Sequence, residues 1–151
     1  MPAKPVWYSP AMADTVFSRI LAGEIPCHRV YEDDQVLAFL DINPLSEGHT
    51  LVIPKEPAKT LDALSSEASA AIGRVLPRIS RAILAATGAK AFNVLQNNGS
   101  SAHQVVDHVH FHIIPMTVEG DGLGIGWHPR TLEDEPGAEL TKKIAAAIKD
   151  S

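Results

Sequence analysis

Between Asp107 and Pro115 the chain reads His-Val-His-Phe-His-Ile-Ile. Along a strand, successive side chains point to opposite faces. His108, His110 and His112 therefore share one face, and Val109, Phe111 and Ile113 share the other. The apolar face belongs on the core, packed against a long helix. The opposite face carries imidazoles roughly 7 Å apart at alternate positions. Each buried ring needs a hydrogen-bond partner. Such a stripe is poor core material and points to a cleft.

The rest of the chain supplies the layers around this strand. Asp14 reads as the N-cap of a short helix carrying Phe17, Ile20 and Leu21, ended by Gly23 and Pro26. Residues 29–32 and 36–40 read as strands of a hairpin, with Asp33-Asp34 as its turn. Residues 49–53 are β-rich and stop at Pro54. From about Ser65 to Thr87, Ala68, Ile72, Val75, Ile79 and Leu84 recur near helical spacing. Pro77 predicts a kink there or two abutting helices, and Gly88 a C-terminal stop. Residues 91–96 read as a strand, followed by a polar turn over 97–101 and an alternating strand from Val105 to Ile114. A glycine-rich loop spans 120–126, and a last helix carries Leu140, Ile144 and Ile148 at four-residue steps. Strands, a helix and more strands predict an antiparallel α+β domain. The sequence contains no Rossmann or Walker phosphate loop.

Bulk properties exclude several classes. The 151 residues are one domain's worth of chain. A net charge of −5 gives no long-range attraction for nucleic acid or anionic lipid. Cys27 is the single cysteine, so no internal disulfide forms, which fits a reducing compartment. No apolar run is long enough for a membrane span. Residues 1–13, with Pro2, Pro5 and Pro10, read as a flexible arm without a signal-peptide core, though Trp7 and Tyr8 offer docking groups.

Three readings of the histidine face compete. The first is a partly solvated surface without function. The second is a zinc site, for which neutral imidazoles on one strand face are good ligands. The third is phosphoryl or nucleotidyl chemistry. Imidazole is a nucleophile and a proton carrier, with an ordinary pKa of about 6.5. This third reading also uses the preceding turn. Asn97, Gly99 and Ser100 offer an amide, backbone N–H groups and a hydroxyl to stabilise phosphate oxygens.

The run from His108 to Ile114 resembles the signature of the histidine triad (HIT) superfamily, three histidines alternating with apolar residues. Supporting segments in order are Gly23-Glu24-Ile25-Pro26, Tyr31-Glu32-Asp33-Asp34, Phe39-Leu40-Asp41-Ile42, residues 48–55, and Gln96-Asn97-Asn98-Gly99 ahead of residues 102–108. The pattern is similar to the Hint branch. His112 argues against the uridylyltransferase branch, which carries glutamine there. The resemblance implies a five-stranded antiparallel sheet with a long helix, pairing as a two-fold homodimer. It implies a HIT domain over 14–117 and a C-terminal loop and helix over 118–151, of the longer eukaryotic type.

The resemblance also implies a purine nucleoside 5′-monophosphoramidase that cleaves P–N bonds of AMP adducts. His110 is then the nucleophile that forms a nucleotidyl-histidine, and His112 lies beside the phosphate and leaving group. His108 and His49 orient His110 and relay its proton. Asp41 accepts hydrogen bonds from the ribose hydroxyls, or caps the turn before Asn43-Pro44. Phe17, Ile20, Phe39, Ile42 and Leu51 wall the base pocket, or belong to the core. Asn97 and the backbone of His103, Gln104 and Val105 hold the phosphate. Val105 departs from members with serine or threonine there. Thr15 and Ser18 stand where some members carry zinc-binding cysteines, so no metal and no cofactor are expected. Trp127 borders the leaving-group side or packs at the dimer surface. A dinucleoside polyphosphate hydrolase, a binding module with vestigial catalysis and a metalloenzyme are the rival readings. No nucleic-acid or membrane partner is expected, and the resemblance places the chain in the cytoplasm and also the nucleus. Neither the leaving group nor the choice of purine is encoded legibly, because an apolar slot discriminates weakly between purines.

Overall fold

The structure, a computed structural model, describes residues 14–151. The expected N-terminal arm with Trp7 and Tyr8 lies outside the described residues. The elements are α1 (Val16–Leu21), β1 (Arg29–Glu32), β2 (Val36–Leu40), β3 (Thr50–Pro54), α2 (Ser66–Thr87), β4 (Ala91–Gln96), β5 (Phe111–Met116) and α3 (Asp134–Lys149). The strands form one sheet in the order β1-β2-β3-β5-β4, and every neighbouring pair is antiparallel.

The sheet separates two apolar layers. Val36, Ala38, Val52 and Ile113 face α2, which contributes Ala71, Ile72, Val75, Ile79 and Ile83. Leu37, Phe39, Leu51 and Ile53 point the other way and meet Phe17 of α1. Period-two alternation thus commits one set of side chains to the helix and the other to a cleft.

Local chemistry sets the ends. Thr15, not Asp14, caps α1: its hydroxyl accepts the Ser18 N–H at 3.0 Å, and the Ser18 hydroxyl accepts the Thr15 N–H at 2.9 Å. This reciprocal pair satisfies both ends of the box, and Asp14 binds Arg19 instead. Ser65 caps α2 and Gly88 closes it in a left-handed conformation, φ 75°. The break expected at Pro77 does not occur, and α2 is one helix through it. Proline costs about 3 kcal/mol inside a helix. Each large side chain buried along the continuous apolar face returns about 1.5–3 kcal/mol, and that face runs on to Ile79 and Ile83 beyond Pro77.

The histidine segment differs from the expected strand. β5 begins only at Phe111 and continues through Pro115, so His112 alone of the three lies within it. The ladder ends there because Gln96, opposite Phe111, is the last residue of β4, and Val52 makes the last pairing from β3. Pro54 offers no N–H to extend it. The chain ahead of β5 is held instead by the Val109 N–H, which donates to the Ala58 carbonyl at 2.8 Å. Helix α3 forms where expected, but Leu140, Ile144 and Ile148 are all exposed.

Gly48 positions the start of β3. Its φ is +89°, and an added Cβ would lie 2.8 Å from Thr87 Cγ2. Gly48→Ala should therefore destabilise the fold by roughly 2–4 kcal/mol, combining left-handed strain with overpacking. Urea denaturation measures this, and an unchanged midpoint would contradict the packing described.

Candidate active site

On the α1 side of the sheet lies a cavity of about 940 Å³. Phe17, Ile20, Phe39 and Leu51 line it, with Asp41, Ile42, His49, Asn97, His103, Val105, His110 and His112. Phe17, Phe39 and Leu51 are also buried in the apolar cluster on this face, so wall and core are the same residues. Ile42 and Val105 stand at the rim, 81% and 90% exposed. His108 and Gln104, both buried, are not part of the lining.

Hydrogen bonds to the backbone fix each ring's tautomer. His110 Nδ1 is 2.7 Å from the His108 carbonyl oxygen, which only accepts. Nδ1 therefore carries the proton and Nε2 keeps its lone pair. His108 Nε2 donates to the Pro54 carbonyl at 2.8 Å. His49 Nδ1 accepts the Leu45 N–H at 3.0 Å, which leaves the proton on His49 Nε2. That Nε2–H donates to His112 Nδ1 at 2.9 Å, so His112 carries its own proton on Nε2. The rings of His110 and His112 are 5.0 Å apart, and Phe17 meets His110 edge-on at 5.0 Å.

This network differs from the expected relay. The imidazole of His108 reaches Pro54 and not His110; it is the His108 carbonyl that orients His110. His49 contacts His112 and lies 3.5 Å from Asp41 Oδ2. The reason is the bend at His108, where the chain has left the ladder and its carbonyl can turn back toward the imidazole two residues on, His110.

The turn before the histidines is also used differently. Gly99 N–H donates to Gln104 Oε1 at 2.7 Å, and Gln104 Nε2 donates to the Lys59 and Val106 carbonyls. The N–H groups of His103 and Gln104 close the turn on Ser100 and Gly99. Gln104 is thus a brace rather than a pocket group, and the backbone donors of His103 and Gln104 are already engaged. The Val105 N–H has no partner among the described residues. Asn97 Nδ2 lies 3.5 Å from the His103 carbonyl and lines the cavity. Asp41 caps the turn and also reaches the cavity. Oδ1 caps the Asn43 N–H at 2.8 Å, and Oδ2 is on the His49 side in the cavity.

Burial holds the imidazoles neutral. Loss of water lowers the pKa of His49, His108 and His110, partly opposed by Asp41 for His49 and by the backbone bonds for the other two. His112 is brought down to about 4 by burial first, then by His110 and His49. Charging any of these rings would strand a cation in an apolar cleft.

Comparison with known proteins is consistent with this geometry. The HIT domain family model matches residues 22–118. The chain is 47% identical over 134 residues to an adenosine 5′-monophosphoramidase of Schizosaccharomyces pombe, covering 89% of this chain and 98% of that protein. A hypothetical protein from Leishmania major superposes with a TM-score of 0.86 at 50% identity, covering 92% of this chain and 99% of that one. A histidine triad nucleotide-binding protein from Candida albicans gives 0.83 at 35% identity, over 91% and 99% of the two chains.

This chain belongs to the HIT family.

Within the HIT site, Asp41, His49 and His112 bring ligand atoms within 4.8 Å of one another. They do not suit a cation as they stand. His49 Nδ1 is committed to the Leu45 N–H, so its Nε2 bears a proton where a metal needs a lone pair. Leu45, Pro54, Leu123 and Ile125 were not read from the sequence as part of the HIT site, whereas Trp127 was, as one of two alternatives. Leu45 and Pro54 act through backbone atoms, which leave no side-chain signature. Trp127 and the glycines beside it were the only signal for Leu123 and Ile125.

An NMR titration of the imidazoles should place His112 near pH 4 and His49, His108 and His110 below 6.5. Unfolded histidines take up protons near pH 6.5 while the folded ones resist, so folding stability should fall as pH drops from about 6.5 toward 4. Four midpoints at the ordinary value would contradict the burial described.

Proposed function

We propose that the chain is a purine nucleoside 5′-monophosphoramidase, hydrolysing P–N bonds of AMP adducts through nucleotidyl-His110. One observation carries the reading: His110 Nδ1–H is tied to the His108 carbonyl at 2.7 Å, leaving Nε2 as a free lone pair at a nucleotide-sized cavity. The family and the 47% identical S. pombe phosphoramidase support the chemistry.

The bond from His110 Nε2 to phosphorus forms as the P–N bond breaks. The nitrogen takes up a proton from solvent as the bond breaks and departs as a neutral amine. His110 is then a charged nucleotidyl-imidazolium, and its Nδ1–H bond to the His108 carbonyl strengthens because the donor is now cationic. The Nε2–H of His112 and the amide of Asn97 face the charge on the phosphate oxygens. Water attacks phosphorus and releases AMP, its lost proton replacing the one the amine removed. The base lies between Phe17, Ile20, Phe39 and Leu51, and Asp41 Oδ2 accepts from the ribose.

A homodimer belongs to this proposal. β4 is an edge strand with Phe92 and Val94 exposed, and α3 keeps its apolar stripe in solvent; a second copy would cover both. A cytoplasmic and nuclear setting is likewise proposed, on the family resemblance.

His110→Ala should lower turnover of adenosine 5′-phosphoramidate by at least about 10³-fold, the scale of losing an enzymic nucleophile. Retained turnover would remove the nucleophile assignment. Asp41→Ala should raise KM by about 10- to 100-fold, as expected for lost hydrogen bonds to a charged group. The same change should matter far less for a substrate lacking both ribose hydroxyls; an equal loss on both substrates would assign Asp41 to the turn alone.

A further inference from the structure

The leaving nitrogen needs a proton, and a group at the cavity has to hand it over. Among the described residues six titratable side chains line the cavity: Cys27, Asp41, His49, His103, His110 and His112. Five are engaged elsewhere. Cys27 packs against the apolar cluster of Phe17 and Phe39, at the base end. Asp41 caps the Asn43 N–H and faces His49. Both ring nitrogens of His49 are bonded, one to Leu45 and one to His112. His110 is the nucleophile. His112, brought down to about 4, is a neutral ring. Its Nε2–H donates a hydrogen bond but is not released near neutrality. The imidazole of His103 is different: it is exposed to water and makes no hydrogen bond or ion pair with any described residue.

The backbone beneath that ring is strained. His103 has φ 69° and ψ 22°, in the left-handed region. Among the described residues no other side-chain-bearing position has a positive φ. Glycine takes this conformation freely, whereas a Cβ crowds the following carbonyl. The turn that imposes it is clamped. His103 N–H donates to the Ser100 carbonyl at 3.0 Å, and Gln104 N–H donates to the Gly99 carbonyl at 3.1 Å. The Gln104 side chain then ties the turn to the Lys59 and Val106 carbonyls. Strain maintained beneath a side chain at a cavity points to a use for that side chain.

The ring also stands on the phosphate side. Asn97 and Val105, whose amide and free N–H are the donors left to the phosphate, flank His103 in the same turn and line the same cavity. Neither can deliver a proton, since one is an amide and the other an alkyl side chain.

We propose that His103 is the general acid of the reaction: its imidazolium gives a proton to the leaving nitrogen as the bond from His110 Nε2 to phosphorus forms and the P–N bond breaks. The amine departs neutral and His103 is left as a neutral ring. Solvent, which reaches the exposed ring, restores its proton before the next turnover. The proposal rests on the phosphoramidase reading and names the group through which the proton passes from solvent to nitrogen.

Two AMP substrates separate this role from a contact to phosphate. In an N-propyl phosphoramidate the amine must be protonated to leave; in a p-nitrophenyl ester the phenolate leaves without a proton. On both, kcat/KM reports the steps up to departure of the leaving group. His103→Gly suits the left-handed turn, so its melting temperature should equal or exceed that of the unmodified chain. It should lower kcat/KM about 10²-fold on the phosphoramidate, the scale of a lost general acid, and about threefold or less on the ester. His103→Asn tolerates the same conformation and keeps an N–H donor, and it should show the same contrast. Equal losses on both substrates, or no loss on either, overturns the proposal. So does a His103→Asn chain with full activity on the phosphoramidate, which would leave the ring only a hydrogen-bonding role. An unmodified chain that turns over neither substrate strikes the phosphoramidase reading and this proposal together. Turnover of both by the unmodified chain, with no contrast in His103→Gly, strikes the assignment of His103 alone.

Discussion

The hydrogen bond from His110 Nδ1 to the carbonyl of His108 decides what this cleft can do. A carbonyl can only accept, so the bond fixes the proton on one nitrogen and the lone pair on the other. It also needs the chain to bend at His108, outside the sheet ladder. The rest of the fold serves that bend: Pro54 ends β3 without a donor, Ala58 takes the Val109 N–H, and α2 covers the opposite face of the sheet.

The same logic runs through the other rings. His108 is held by the Pro54 carbonyl, and His112 receives its proton pattern from the Leu45 N–H by way of His49. Every tautomer in the chain of contacts is set at a backbone atom. Such partners cannot rotate away as side chains do, so the rings are oriented before any ligand arrives. Burial then keeps them uncharged. A buried neutral imidazole retains its lone pair at pH values where an exposed one is already protonated.

Much of this was legible in the sequence. The bounds of β1, β2 and β4, the Ser65 and Gly88 ends of α2 and the antiparallel α+β class all followed from alternation, helical spacing and turn residues. The shared face of the histidines also followed, although only His112 lies in a regular strand. What the sequence did not disclose is where backbone groups are spent. The turn over 97–104 looked rich in donors, but Gln104 and the turn's own carbonyls consume most of them. Pro77 looked like a break because local propensity was weighed without the apolar face that continues beyond it. How His108 orients His110 was hidden for a related reason: side-chain spacing says which groups share a face, not which carbonyl turns toward which nitrogen.

The central claim is that the free Nε2 of His110 becomes bonded to phosphorus. Rapid acid-free quenching during turnover of an AMP adduct, followed by peptide mass mapping, measures this directly. The account predicts an adenylyl group on His110 that appears and decays within the reaction. A label on His112 or His49, or none under conditions where AMP is being released, would contradict it.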